Sequence, residues 1–114
     1  MERKTVTIEE IVAIAKQRTS NIEEQVRYIQ LFFDITERDH PDAFRKTSAS
    51  KSGYDYQISA FADGGGGYFW HNIYKGVSKV ASVLEVYRTE SKTFEVLFSS
   101  SSAFAEPIMP RLME

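Results

Sequence analysis

Apolar side chains recur at helical spacing in the N-terminal part of the chain, and the first stripe predicts a helix over residues 8–18. The members of this stripe are Ile8, Ile11, Val12 and Ala15. Thr7 stands before the stripe and Glu10 follows three residues later, which is the pattern of a capping box. Val6 and Ile11 have the spacing of a hydrophobic staple across the same helix start.

A second helical stripe follows after a short polar cluster. Its central line is Ile22, Val26, Ile29 and Phe33, and it is widened by Tyr28, Phe32 and Ile35. Ser20 and Asn21 each have a glutamate three residues later, so either can cap this helix. Pro41 predicts an end near Asp39, because the residue before a proline avoids helical angles. The short link predicts a hairpin of two packed helices over residues 7–40.

Residues 41–53 carry no regular apolar pattern. Asp39 as a cap and Pro41 at the first helical position predict a short helical turn that reaches Phe44. The stretch from Lys46 to Gly53 is rich in serine and lysine, which predicts a loop.

Between Tyr54 and Tyr74 the apolar pattern changes to a period of two, which predicts a hairpin of two strands around four consecutive glycines. One face carries Tyr54, Tyr56, Ile58, Ala60, Ala62, Phe69, His71 and Ile73. The opposite face carries Asp55, Gln57, Ser59, Phe61, Tyr68, Trp70, Asn72 and Tyr74. If the four glycines form the loop, Ile58 pairs with Ile73 and Ala60 pairs with His71. We expect the first face to pack against the helices and the second to point outward.

A second hairpin is predicted from Val80 to Arg88 and from Thr93 to Phe98. Residues 77–88 also fit a helical stripe, but their valines favour a strand, because β-branched side chains lose rotamer freedom in a helix. Residues 99–102 are serines and predict a linker. The tail after them contains two prolines and several large apolar side chains, so it should be extended and should dock on its own domain or on a partner subunit.

These elements predict one α+β domain over residues 1–114, with the helical hairpin on one face of an antiparallel sheet of about four strands. The expected order is a helical hairpin (7–40), a loop with a short helical turn (41–53), the sheet (54–98), and a serine linker with an extended C-terminal tail (99–114).

Composition narrows the function. The 114 residues have a formal net charge of −2, which lowers the expectation of nucleic-acid or anionic-lipid binding. There is no cysteine, which excludes disulfides, thiol catalysis and zinc-thiolate sites. The charged N-terminus and the broken apolar run after it do not resemble a signal peptide or a membrane span, so we expect a cytoplasmic location.

Candidate chemistry is sparse. The glycine run lacks the lysine and the following helix of a phosphate loop, so we expect a flexible hairpin tip. His40 lies in a turn whose aspartates serve as caps, so the sequence predicts no metal site there. His71 could form an acid–base or metal pair with Glu85 or Asp55, although a hydrogen-bonded core histidine is the commoner outcome. Glu85 stands among apolar positions, so it lies at a rim, pairs with a group such as His71, or marks a wrong register.

The most informative surface is the second face of the first hairpin. Its candidate partner-binding residues are Phe61, Tyr68, Trp70, Asn72 and Tyr74. Tyrosine and tryptophan supply large rigid contact area, and small polar side chains supply adaptable hydrogen bonds. The alternative is that the sheet curls and the tail or a loop covers these rings. We expect a bare face to bind another protein or a second copy of the chain.

The leading hypothesis is therefore a small non-enzymatic binding module of bacterial or phage type, of the inhibitor, adaptor or immunity-protein kind, with neither cofactor nor metal. The alternative is a pocket protein or small enzyme of cone-like α+β architecture that uses His71 with Glu85 or Tyr56 on an organic ligand. A lesser alternative is single-stranded nucleic-acid binding, in which bases stack on the aromatic sheet face.

Overall fold

A computed structural model describes residues 7–63 and 66–108, and it has the predicted α+β architecture: two N-terminal helices followed by an antiparallel sheet. The helices are α1 (Ile8–Arg18) and α2 (Ile22–Asp39). The strands are β1 (Phe44–Lys51), β2 (Tyr54–Asp63), β3 (Gly66–Lys75), β4 (Ser78–Arg88) and β5 (Thr93–Ser99). Short 3-10 turns form at Pro41–Ala43 and Ser102–Phe104.

Both helices begin at the predicted caps. The Thr7 side chain accepts a hydrogen bond from the Glu10 amide at 3.2 Å, and α1 covers the predicted residues. Of the two possible caps for α2, Asn21 is the one used, and its side chain accepts from the Glu24 amide at 3.1 Å. The predicted staple of Val6 lies outside the described residues.

The end of α2 is also as predicted, although the following turn is capped differently. The last helical residue is Asp39, two positions before Pro41. Asp39 was expected to cap the turn at Pro41–Ala43, but it completes α2 instead, and His40 occupies the cap position without a side-chain hydrogen bond.

The sheet is a meander in which each strand pairs with its neighbours in sequence, in the order β1-β2-β3-β4-β5. It has five strands, so the prediction of about four strands, with a loop over Lys46 to Gly53, is wrong. The extra strand β1 lies at the edge of the sheet, and most of its residues are exposed. After Phe44, which is buried at the start of β1, the strand has no fully buried side chains to impose an alternating apolar pattern, and its lysines discourage pairing with another chain.

The predicted pairing between β4 and β5 is correct from the turn as far as Glu85, where the register shifts by one residue, whereas the pairing between β2 and β3 differs by two residues. Arg88 pairs with Thr93 across a four-residue turn, as expected. In the first hairpin Ile58 pairs with His71 instead of Ile73, because pairing continues through Asp63 and Gly66. A shift of two residues keeps every side chain on its predicted face, since side chains alternate with a period of two.

The two sides of the sheet are covered by different parts of the chain, and this corrects the predicted orientation. The helices pack on the face that was expected to point outward. The core on this side contains Ile8, Val12, Ile29, Phe33, Phe44, Trp70, Leu84 and Phe98. Phe61 and Tyr68 pack against the same core. The expectation that the helices cover the opposite face, with Ile58 and Ile73, is wrong.

The side away from the helices has a second core, covered by the segment after β5. Its buried members are Tyr56, Ile58, Ile73, Ala81, Val83 and Ile108. Phe104 lies edge-on to Tyr54 with 5.4 Å between ring centroids, and Ile108 is 2% exposed. The predicted docking of the tail thus takes place on its own domain as far as residue 108. The remaining tail residues lie outside the described part of the chain.

Candidate functional site

The buried pair of His71 and Glu85 joins two neighbouring strands on the side of the second core. The two residues lie on β3 and β4, and both side chains are 0% exposed. His71 Nε2 and Glu85 Oε1 are 3.2 Å apart. The second carboxylate oxygen of Glu85 accepts a hydrogen bond from the backbone amide of Ile108 at 2.7 Å. Of the possibilities raised for Glu85, the structure shows pairing with His71.

This arrangement fixes the hydrogen-bonding roles of the His71 ring when Glu85 is ionised. Nε2 then carries a proton and donates it to the carboxylate, since a carboxylate only accepts. His71 Nδ1 is buried and has no hydrogen-bond partner among the described residues. The pair joins β3 and β4 to the segment after β5 through the Ile108 amide, so it fastens that segment to the sheet.

Both members of this pair are closed off from solvent in the described structure. Four surface grooves have volumes between 370 and 640 Å³, and neither His71 nor Glu85 lines any of them. Asp55, the other proposed partner of His71, instead accepts a hydrogen bond from Ser50 at 2.7 Å. A molecule in solution could reach His71 only if the segments that bury it moved.

The residues predicted to bind a partner divide into two groups. Phe61, Tyr68 and Trp70 pack beneath the helices, and the premise that Trp70 is exposed is wrong, because it has no accessible surface. The Trp70 ring stacks on Phe33 with 5.9 Å between centroids. Its indole Nε1 donates a 2.7 Å hydrogen bond to Gln30.

Asn72 and Tyr74 lie on the same sheet face but beyond the apolar core, and both are half-buried. They line an open groove of 420 Å³ beside α2, together with Gln30, Lys46, Thr47, Ser48, Gln57, Ile58 and Ser59. A partner-binding role for Asn72 and Tyr74 therefore stays a prediction.

A larger groove of 640 Å³ opens near the start of α1 and the end of α2. Its lining residues are Thr7, Ile8, Ile11, Phe32, Thr36, His40, Ala43, Phe61, Ala62 and Tyr68. The volume and the mostly apolar lining are typical of small-molecule sites, in which a few polar groups fix the orientation of the ligand. His40 belongs to this groove, and among the described residues no cluster of three potential metal ligands forms.

The outward side of the helices carries a row of apolar side chains, two of which, Tyr28 and Ile35, the sequence interpretation assigned to the packed side of the helix. Tyr28, Leu31 and Ile35 are 39%, 56% and 39% exposed. Their spacing of three and four residues places them on one side of α2, which we call the outer stripe. Ile14 on α1 is also 39% exposed. Because α2 packs on the sheet through Ile29 and Phe33, the outer stripe lies outside the two cores formed by the described residues.

The sequence contained a signal for this stripe. Apolar residues on α2 span more than the single side that packing on one sheet requires. Such a width predicts either a deeply buried helix or a helix with a second contact surface. The exposure of Tyr28, Leu31 and Ile35 supports the second interpretation.

At the glycine run, the described residues show a structural reason for glycine. A side chain on Gly66 would collide with the carbonyl oxygen of Tyr87 on the neighbouring strand β4. Gly66 is paired in β3, so it belongs to the sheet and does not line a ligand loop. Within the described part of the chain, no helix is long and apolar enough to cross a membrane.

No family model, no curated protein and no solved structure matches this chain, so its function has to be argued from its own residues.

Proposed function

We propose that this chain is a non-enzymatic protein-binding module whose contact surface is the outer stripe of α2. The observation that carries the proposal is the exposure of three large apolar side chains at helical spacing, Tyr28, Leu31 and Ile35. Single exposed apolar residues are common on protein surfaces, whereas a row of them on one helix is typical of a contact site. An amphipathic helix that binds a partner uses anchors at this spacing.

The rest of the molecule supports binding over catalysis. The one buried acid–base pair that we identify, His71 with Glu85, fastens the C-terminal segment and is covered by it. The absence of cysteine suits a cytoplasmic location, which remains part of this proposal.

The test is affinity capture with matched variants. Leu31→Asp places a charge at the centre of the outer stripe, and Val77→Asp places the same charge at a fully exposed valine in the turn between β3 and β4. We expect proteins captured by the wild-type chain to be lost with Leu31→Asp and retained with Val77→Asp. Identical captured sets from all three proteins would contradict the proposal, provided that circular dichroism shows the variants folded.

A second candidate function is binding of a small apolar ligand in the 640 Å³ groove, and the observation that favours it is the lining itself. Bound ligand would stabilise the fold by RT ln(1 + L/Kd), where L is the free ligand concentration, so the unfolding temperature should rise with the logarithm of that concentration once it exceeds the dissociation constant. Thr36 of α2 lies in this lining, so the longer side chain of Thr36→Met should fill part of the groove. We expect the fluorescence of an anilinonaphthalene dye to rise with the wild-type protein and to rise less with Thr36→Met. An equal rise in fluorescence with both proteins would show that the dye binds outside this groove.

A further inference from the structure

We infer that the partner of the outer stripe is a second copy of this chain, with the two α2 helices packed antiparallel about a two-fold axis beside Leu31. The inference rests on the proposed function, in that it requires the stripe to be a contact surface. It adds the identity of the partner and the relative orientation of the two α2 helices.

The first argument is the position of charge along the stripe. Glu24 lies seven residues before Leu31 and Arg38 lies seven residues after it. Seven residues are close to two turns of an α-helix, so both side chains continue the line of the stripe. Both residues are exposed. The stripe therefore has an acidic end, an apolar centre and a basic end.

The second argument is symmetry. In an antiparallel pair with a two-fold axis beside Leu31, residues at equal distances from Leu31 face each other. Glu24 then faces the partner's Arg38, and Arg38 faces the partner's Glu24. A parallel pair would place Glu24 against the partner's Glu24 and Arg38 against the partner's Arg38. The charges thus favour the antiparallel direction and oppose the parallel one.

One edge of the stripe has the same complementarity. Arg27 and Asp34 are exposed and lie seven residues apart, and therefore on the same edge of the helix. Arg27 lies four residues before Leu31 and Asp34 lies three residues after it, so the antiparallel arrangement brings Arg27 to within one residue of the position opposite the partner's Asp34. Both charge relations favour the same antiparallel direction.

Contacts within one chain do not compete strongly with this arrangement. Arg38 Nε and Asp39 Oδ1 are 3.1 Å apart, but the two side chains are 73% and 50% exposed. Asp34 accepts a hydrogen bond from Gln30 at 2.9 Å, also at the surface. Exposed pairs of this kind contribute at most about 1 kcal/mol. The side chains of Arg38 and Asp34 can therefore turn toward a partner at little cost.

The size of the helix–helix interface determines the affinity that we expect for the dimer. A single pair of helices with a short apolar centre lies at the lower end of specific interfaces. We therefore expect a dissociation constant on the order of micromolar, which corresponds to about −8 kcal/mol. Association of this strength is measured by sedimentation over a concentration series of the full chain.

Charge reversal is the main experiment. We expect Glu24→Arg and Arg38→Glu each to weaken the dimer at least about tenfold, because each creates two like-charge contacts across the axis. The double variant restores both pairs, so its dissociation constant should return to within about threefold of wild type. Glu90→Arg, at the turn between β4 and β5, is the matched control and should leave the dimer unchanged. Single variants without effect, or a double variant as weak as either single one, would overturn the inference.

A crosslinking measurement checks the position of the axis independently. The chain has no cysteine, so Leu31→Cys introduces a single thiol. Near a two-fold axis the two thiols meet, and a disulfide forms when the Cα atoms are about 4.4–6.8 Å apart. We expect rapid oxidation to a covalent dimer with Leu31→Cys and only slow oxidation with Val77→Cys. Equal rates would refute the placement of the axis.

The two proposals fail in different ways. A wild-type chain that stays monomeric at all concentrations, yet loses a captured protein with Leu31→Asp, would overturn self-association and leave the binding function standing. A chain that is monomeric and whose captured proteins are insensitive to Leu31→Asp would overturn both. A wild-type dimer that Leu31→Asp dissociates and Val77→Asp does not would support both.

Discussion

Replacement of Trp70 by alanine tests whether the helices cover the aromatic face of the sheet. Trp70 is 0% exposed, stacks on Phe33 and donates a hydrogen bond to Gln30, which lies 40 residues earlier in the chain. Removal of a buried tryptophan costs about 3–5 kcal/mol, since the transfer free energy is lost and a cavity remains. The lost hydrogen bond adds about 1 kcal/mol, because Gln30 is only partly buried and can bind water instead.

We therefore expect Trp70→Ala to lower the free energy of unfolding by about 4–6 kcal/mol. A domain has only about 5–15 kcal/mol in total, so this variant approaches the limit of stability. The assay is urea unfolding followed by far-ultraviolet circular dichroism, because the only tryptophan is removed.

Two further variants make the measurement decisive. Trp70→Phe keeps a ring against Phe33 and loses the indole hydrogen bond, so it should cost about 1–2 kcal/mol and remain folded. Tyr74→Ala, on the same strand and face but beside the open polar groove, should cost less than Trp70→Ala. If Trp70→Ala changes the free energy of unfolding by less than about 0.5 kcal/mol, Trp70 is a surface residue and the arrangement of the layers described above is wrong.

Two other substitutions test contacts on β3 and β4. Glu85→Ala should destabilise the fold by about 3–5 kcal/mol in urea unfolding, because it leaves His71 Nε2 and the Ile108 amide without an acceptor. Glu85→Gln keeps an acceptor for Ile108 and should cost clearly less, so equal losses would argue against this account. Gly66→Ala should cost about 1–3 kcal/mol and lower the thermal midpoint, because the new methyl group meets the Tyr87 carbonyl. Gly67→Ala meets only the edge of the Phe69 ring and should be milder, and the opposite order would contradict the pairing of β3 with β4.

Local signals were sufficient for most of the secondary structure. Thr7 and Asn21 cap their helices through contacts that span three residues, so the sequence alone contains the information. Pro41 ends α2 through a local effect as well, because the residue before a proline avoids helical angles. The alternation in β2 and β3 correctly predicted which side chains share a face, and Arg88 opposite Thr93 correctly placed the last turn.

The arrangement of the layers could not be read in the same way. Both faces of the first hairpin are apolar, with Ile58 and Ile73 on one and Phe61 and Trp70 on the other. Alternation assigns residues to faces but does not say which face the helices cover. The two cores show that each face has its own cover, so the choice depended on packing between distant segments.

The edge strand and the outer stripe were missed for related reasons. Most of β1 is exposed, so the apolar alternation that identifies a strand is absent. The sequence contained a usable signal in the turn dipeptide Ser52-Gly53. Both residues have positive φ angles in the structure, as in a type I′ hairpin turn. Tyr28 and Ile35 were assigned to the core because their spacing fits a buried stripe, and only the position of α2 on the sheet shows that they face outward.

The order of strands has a consequence for the kinetics of folding. Every strand pairs with its neighbour in sequence, so each ladder of the sheet can close as a local hairpin. Local pairing keeps the loop-closure entropy small and favours rapid formation of the sheet. The contact between Trp70 and Gln30 joins residues far apart in sequence and depends on a sheet that already presents the indole. We therefore expect the meander to form early and the docking of the helical hairpin to complete the barrier crossing, with Trp70 fluorescence reporting that last event.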